Sequence, residues 1–214
     1  MKIALIGASG FVGSAILKEL LSRNVAVTAI ASRPERIGAA ANLDVVAADA
    51  YDADAVARAV AGHDVVISAF NPGWDKADIR ELFLAGHQAI VAGVKAAGVP
   101  RFIEIGGAGS LFVAPGVQLI DTPHFPAEYK EGAEGARQAL NLLQQETLLD
   151  WVFVSPPALL APGARSGQYR LGGNELLMAG EAPAGISGAD LAVAVVDEAL
   201  QPQHHRQRFT AASV

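Results

Sequence analysis

Near the amino terminus, Gly7-Ala8-Ser9-Gly10-Phe11-Val12-Gly13 sets three glycines at G-x-x-G-x-x-G spacing, between an apolar run from Lys2 to Ile6 and a helix-period stretch from Val12 to Arg23. Each glycine has its own physical use. Gly7 can take a tight turn, Gly10 lets a pyrophosphate approach main-chain N–H groups, and Gly13 lets helix and strand pack closely. Ser9, Phe11 and Val12 complete a turn whose helix would offer its positive end to the anion. A ligand-free glycine turn has the same composition, but the order strand, loop, helix favours a dinucleotide. The pattern G-x-x-x-x-G-K is absent, which disfavours a triphosphate site.

The second apolar run, Val25 to Ala31, ends in Ser32-Arg33-Pro34-Glu35-Arg36. Where an NAD-selective chain would place Asp or Glu for the ribose 2′-hydroxyl, this one has a hydroxyl and a guanidinium, which suit a 2′-phosphate. The expected cofactor is therefore NADP (NADPH), with NAD compatible; alternatively, Arg33 and Arg36 form a solvated cap of a short helix. Asp49 and Ala50 follow the third run, and Ala69 and Phe70 end the fourth. These four fit the adenine and ribose side. The rival reading has Asp52 capping a helix that begins near Ala53, with Asp49 only ending its strand.

The fifth run, Arg101 to Ile105, opens into Gly106-Gly107-Ala108-Gly109-Ser110, small residues on which a flat ring could lie, with Ser110 as the candidate catalytic contact or else a turn cap. Ser155 and Pro156, after the sixth run, could present a rigid edge to a carboxamide. His124, Phe125 and Tyr129, in a long loop from Leu111 to Lys130, are candidate substrate contacts. Trp74 and Tyr169 fit either stacking or core filling. A carbonyl reductase of the Tyr, Lys i, i+4 kind is not encoded, because Tyr51, Tyr129 and Tyr169 are followed at that spacing by Ala55, Ala133 and Gly173. Without a dedicated proton donor, the chemistry that fits is hydride transfer to an acceptor whose anion is delocalised, such as a flavin, a quinone or a conjugated tetrapyrrole. G-x-S-x-G and H-E-x-x-H are both missing, so neither a hydrolase elbow nor a metal site is expected.

These residues need a scaffold that brings strand ends together. Six apolar, β-branched runs (Lys2 to Ile6, Val25 to Ala31, Asp44 to Ala48, Asp64 to Ala69, Arg101 to Ile105, Trp151 to Val154) alternate with helix-period stretches around Val12 to Arg23, Ala53 to Ala61, Ile79 to Ala97 and Ala133 to Leu148. That alternation predicts an α/β fold with a doubly wound parallel sheet. Beyond Ser155 the pattern loosens into prolines and glycines. It resumes in a helix from about Ala189 to Leu200, with Ser187 and Asp190 as a capping box, and a last short strand from Gln207 to Ala211. With 214 residues and no linker or repeat, a single domain over 1–214 is expected.

There is no cysteine, and the net charge is −6. Disulfides and thiolate chemistry are excluded, and nothing attracts nucleic acid. The uncharged stretch Ile3 to Leu17 looks superficially like a signal core, yet it is too short to span a bilayer and is broken by glycines and serines. The expectation is a soluble, unprocessed cytoplasmic protein with a small-molecule substrate and no membrane partner; a homo-oligomer is compatible with its apolar stripes.

The chain resembles the atypical short-chain dehydrogenase/reductase superfamily, particularly bacterial NADH-flavin reductases related to biliverdin/flavin reductases, and NmrA-like proteins. The resemblance rests on Gly7 to Gly13, Asp64 to Phe70, Arg101 to Ser110, Asp150 to Pro156, Gly167 to Gly173 and Ile186 to Asp190. It implies a Rossmann domain with a small substrate lobe from late loops, and NAD(P) roles for Gly7, Gly10, Gly13 and Arg33. The missing Tyr-Lys pair matches the atypical branch. Three functions fit: an NADPH-dependent reductase of planar acceptors, an NmrA-like dinucleotide sensor without catalysis, and a nucleotide-sugar epimerase, which the missing pair disfavours.

Overall fold

Most of the β-branched runs become strands buried on both faces of one sheet, as crossover connections require, while the run Asp44 to Ala48 stays largely exposed at its edge. The computed structural model describes residues 1–214. It runs β1 (Lys2–Ile6), α1 (Phe11–Ser22), β2 (Ala26–Ala31), β3 (Leu43–Ala47), α2 (Ala53–Val60), β4 (Val65–Ser68), α3 (Ile79–Ala96) and β5 (Arg101–Ile105). Then follow β6 (Phe112–Ala114), β7 (Val117–Gln118), α4 (Ala127–Leu143), β8 (Asp150–Ser155), β9 (Leu159–Ala161), β10 (Arg170–Gly172), β11 (Met178–Ala179), β12 (Ala182–Pro183), β13 (Gly185–Ser187), α5 (Gly188–Leu200) and β14 (Gln207–Ala212). The main sheet has the order β10-β14-β8-β5-β4-β1-β2-β3. Every pair in it is parallel except β10 with β14.

Alternation along the strands divides the core. Ile3, Leu5, Val152, Val154 and Phe209 pack on one face against Ile16 and Leu20 of α1 and Leu191 and Val195 of α5. Ala4, Ile6, Phe102 and Phe153 pack on the other against Val56 of α2, Ile90 of α3 and Leu140 of α4. Each fully buried side chain of this size contributes roughly 1.5–3 kcal/mol. These layers fix the carboxyl ends of β1, β2, β4 and β5 along one edge, where open α/β sheets bind ligands.

The rival reading of Asp52 holds: its carboxylate accepts from the amides of Asp54 and Ala55, both at 3.0 Å. Asp52→Ala is expected to lower stability by about 1 kcal/mol, measured by urea denaturation, with no change in the slope of the transition.

Two expectations are corrected. Helix α4 begins at Ala127, not near Ala133, so Tyr129 is helical rather than part of a loop. Between Leu111 and that helix lie the β6–β7 hairpin and a 3-10 turn at Leu119–Asp121 that buries Ile120. Only half of the capping box forms. Ser187 Oγ accepts from the Asp190 amide, whereas the Asp190 carboxylate accepts from the amides of Ser166 and Gly167, both at 2.8 Å, and from Ser166 Oγ. Asp190 thereby ties the late segment to α5.

Candidate active site

The turn after β1 is built by close approach. Gly7 has φ +78°, and a Cβ there would stand 2.6 Å from the Ala69 carbonyl oxygen at the end of β4. A Cβ on Gly13 would collide with the Gly7 carbonyl oxygen. Gly10 differs: a Cβ there would meet only that same oxygen, at 3.4 Å, so its outer side is open. Gly10 caps α1 without any side chain, and the amides of Phe11, Val12 and Gly13 find no acceptor in the chain. Three free N–H groups at the positive end of a helix beside an open glycine fit a diphosphate. Ser9 and Phe11 are exposed, Val12 is half-buried, and the Phe11 ring lies beside Gly188 at the start of α5.

Around this turn the strand ends converge. The Gly7 amide donates to the Ile30 carbonyl at 3.0 Å, which joins the turn to β2. Ser32 and Arg33 follow β2 and are exposed, and the Arg33 guanidinium makes no hydrogen bond or ion pair. Pro34–Arg36 does form a 3-10 turn, with Arg33 at its cap position through backbone alone. Asp49 Oδ1 accepts from the Tyr51 amide at 3.0 Å and Ala50 is half-buried. The Tyr51 ring meets Phe70 edge-on at 5.5 Å between centroids. Burial, with Asp49 and Asp78 adding to it, pushes the Tyr51 phenol up. Phe70 also covers Gly86 of α3, where a Cβ would have no room. Ala69 and Phe70 thus border the turn through their backbone while the Phe70 ring is fixed from below.

The turn after β5 holds less open space than its composition suggests. A Cβ on Gly106 would collide with the Phe153 ring, and one on Gly109 would stand 2.9 Å from Ala133 Cβ, so packing accounts for both glycines. Gly107 stands near Ala136 of α4. Ser110 departs from the expected accessible contact: it is 2% exposed, and its Oγ accepts from Arg208 Nη1 at 2.9 Å. Ser155 and Pro156 are also buried, so no edge of theirs lies open, and Ser155 Oγ has no hydrogen-bond partner. Arg208 is the residue sequence reading missed. It is one of three polar positions in the final short strand, and its partner lies 98 residues away.

Of the candidate substrate contacts, His124 is exposed and Phe125 half-buried in the turn before α4. Tyr129 pairs edge-on with Trp74 at 5.3 Å, and the indole rests on Gly132, whose Cβ would stand 2.6 Å from Trp74 Cζ3. Trp74 is 57% exposed and so is not core. Tyr169 lies elsewhere: its hydroxyl donates to Asp197 at 2.6 Å, and burial together with that carboxylate raises its pKa. His63 and His87 are both buried. His63 bonds Thr28 and Val60, and His87 bonds Glu104; burial lowers the imidazole pKa, but the Glu104 charge and hydrogen bond together outweigh it, so the net shift is upward. A groove of about 650 Å³ between β3 and α2, lined by Val45, Ala47, Ala55, Arg58 and His63, lies outside this constellation.

Comparison with known proteins agrees with the geometry. A family model described as NAD(P)H-binding matches residues 7–202. The chain is 37% identical over 218 residues to the uncharacterized protein YwnB of Bacillus subtilis (strain 168), covering 100% of this chain and 99% of that one. Among solved structures it is similar to a provisionally assigned epimerase from Bacteroides thetaiotaomicron (TM-score 0.93, 44% identity, 100% and 97% covered). It is also similar to a provisionally assigned NADH-flavin reductase from Streptococcus pneumoniae TIGR4 (TM-score 0.86, 30% identity, 100% of both chains). No helix is long and apolar enough to cross a membrane. A glycine turn with free amides at the carboxyl edge of a mostly parallel sheet, together with a family match over most of the chain, makes this protein a member of the NAD(P)H-binding family.

Proposed function

We propose that the chain is an NADPH-preferring reductase that passes hydride to a planar conjugated acceptor of the flavin or quinone class. The observation that carries the cofactor half is the set of three free amides on α1, together with the unpaired, exposed Arg33 that follows β2, the strand joined to the glycine turn. In this reading the backbone from Gly7 to Gly13 and the Ser9 hydroxyl hold the diphosphate, and Ser32 and Arg33 hold the 2′-phosphate. Asp49, Ala50, Ala69 and Phe70 border the adenine ribose, while Gly106 and Gly107 border the nicotinamide side and the buried Ser155 and Pro156 back them from the neighbouring strand. The dinucleotide supplies the hydride; the chain supplies position, exclusion of water and fixed charge.

For the acceptor half, support comes from what the tyrosines do. Tyr129 faces Trp74, Tyr51 faces Phe70 and Tyr169 is bonded to Asp197, so none is coupled to a lysine as a proton donor. That favours an acceptor whose reduced anion delocalises. Oxidation of NADPH by FMN and by a benzoquinone, followed at the nicotinamide absorbance, tests the activity. Saturable nucleotide binding with no turnover on any acceptor would instead favour the non-catalytic sensor. Loss of a charge-assisted bond to a phosphate is worth about 1.5–3 kcal/mol, so Arg33→Ala is expected to weaken NADPH binding roughly ten- to hundredfold and leave NADH binding unchanged. Equal weakening of both, measured by calorimetry, would remove the 2′-phosphate assignment.

A further inference from the structure

Buried charge in this protein is matched almost everywhere. Glu19 is held by Arg23 and Arg165, Arg101 by Asp150 and Glu198, Glu198 also by His204, and Glu104 by His87. Asp190 lacks a cation, but it sits in the first turn of α5 and accepts from two amides and a hydroxyl. Arg208 is the exception. It is 7% exposed, and its guanidinium donates only to neutral oxygens: Ser110 O and Oγ at 2.9 Å, Asn174 Oδ1 at 3.1 Å and Asn174 O at 3.1 Å. Glu175 is near enough to act through space but makes no ion pair, and burial lowers the Arg208 pKa. An arginine stays protonated in a protein, so an uncompensated positive charge remains there.

The surroundings point the same way. Thr210, two residues along β14, is directly in register with Ser155 of β8, which puts both hydroxyls on one face of the sheet. Both are fully buried, and neither has a hydrogen-bond partner. A cation without an anion and two hydroxyls without partners thus lie in adjacent strands on one face of the sheet, and the cation is bonded to the turn that follows β5. Such costs are tolerated where a site needs them. A hydroxyl that already accepts from Arg208 must direct its own proton elsewhere, so Ser110 is set as a donor.

We infer that Arg208, left unmatched and bonded to Ser110, is a fixed positive charge for the negative charge a planar acceptor takes on when it receives hydride. The inference rests on the proposed function. Hydride brings one proton and two electrons, so a neutral acceptor becomes a monoanion, and water later supplies the second proton. The reduced dinucleotide loses that hydride and becomes a pyridinium. Arg208 acts through its field and through Ser110, not by contact, and is a positioning residue.

Asn174→Asp tests this without disturbing the core, because Asn174 is exposed and the change is nearly isosteric. It gives Arg208 a carboxylate partner and cancels its charge in place. The expected result is a kcat with FMN lowered about tenfold, NADPH affinity unchanged and a melting temperature equal to or above the wild type. Arg208→Lys, which keeps the charge, should retain more turnover than Arg208→Met. A readout that needs no turnover is the affinity for FMN reduced beforehand, measured above neutral pH where the reduced ring is anionic. The wild type should bind it about tenfold more tightly than oxidised FMN, and Asn174→Asp should erase that preference. Absence of the preference in the wild type, or an unchanged kcat in Asn174→Asp, overturns the inference. Failure of NADPH to bind at all would instead sink the proposed function.

Discussion

Gly13→Ala is expected to unmake the turn after β1, lowering stability by roughly 3 kcal/mol and raising the Kd for NADPH at least about a hundredfold. The cause is steric and local. An added methyl would collide with the Gly7 carbonyl oxygen and come within 3.1 Å of Ala8 Cα, both backbone atoms that cannot swing aside. Gly7 itself is pinned, since its amide donates to Ile30 and a Cβ there would press on Ala69. Relief therefore requires α1 to lift from the sheet. Gly10→Ala supplies the contrast. Its Cβ would meet one atom, at 3.4 Å, and otherwise project into open space where the diphosphate is proposed to lie. It should stay within about 1 kcal/mol of wild-type stability while binding NADPH about tenfold more weakly. Calorimetry and thermal melts on the two variants separate a turn that holds the fold from one that holds a ligand. Wild-type affinity in Gly10→Ala would mean that the anion does not sit there.

That contrast also explains why the sequence was legible where it was. The glycine turn is largely local: its three glycines fall within seven residues, so spacing locates it, even though Ile30 and Ala69 also pin it. Strands such as Lys2–Ile6 and Val65–Ser68 are legible for a related reason, since burial on both faces leaves a run that is apolar but for one end. The start of α4 is not, because Glu128, Lys130, Glu131 and Gly132 break any apolar stripe in its first turns; Pro126 at the cap and Glu128 in the first turn were the available signal. Gly132 is there to seat Trp74, a contact made across 58 positions of sequence that leaves no trace in local periodicity. The late strands, two or three residues each, pair with distant segments, as β9 does with β13 and β10 with β14. Ser110 was found as a polar residue in a turn of small ones, but its burial and its engagement by Arg208 depend on where the last strand lies.

The amino ends of the same strands carry the opposite design, and Glu198→Gln is expected to show it. Glu198 is 4% exposed at the end of α5. Its carboxylate accepts from Arg101 at 2.5 Å, from the amides of Gln203 and His204 at 3.1 and 3.0 Å, and from His204 Nδ1 at 2.6 Å. Arg101 begins β5 and also reaches Asp150, the first residue of β8, so one network clamps α5, the following loop and two strands. Neutralising Glu198 leaves Arg101 buried with half its countercharge and with an Nε that already lacks a partner. Breaking one side of a buried pair costs about 3–5 kcal/mol, which for a chain of this length lowers the melting temperature by roughly 10 °C. Yet the clamp lies at the sheet edge opposite the glycine turn. NADPH affinity at a temperature where the variant is folded should therefore match the wild type. Buried charge is matched where it only holds the fold, and left unmatched at Arg208, beside the turn proposed to receive the acceptor. A Glu198→Gln protein that melted normally but lost NADPH binding would reverse that division of labour between the two edges.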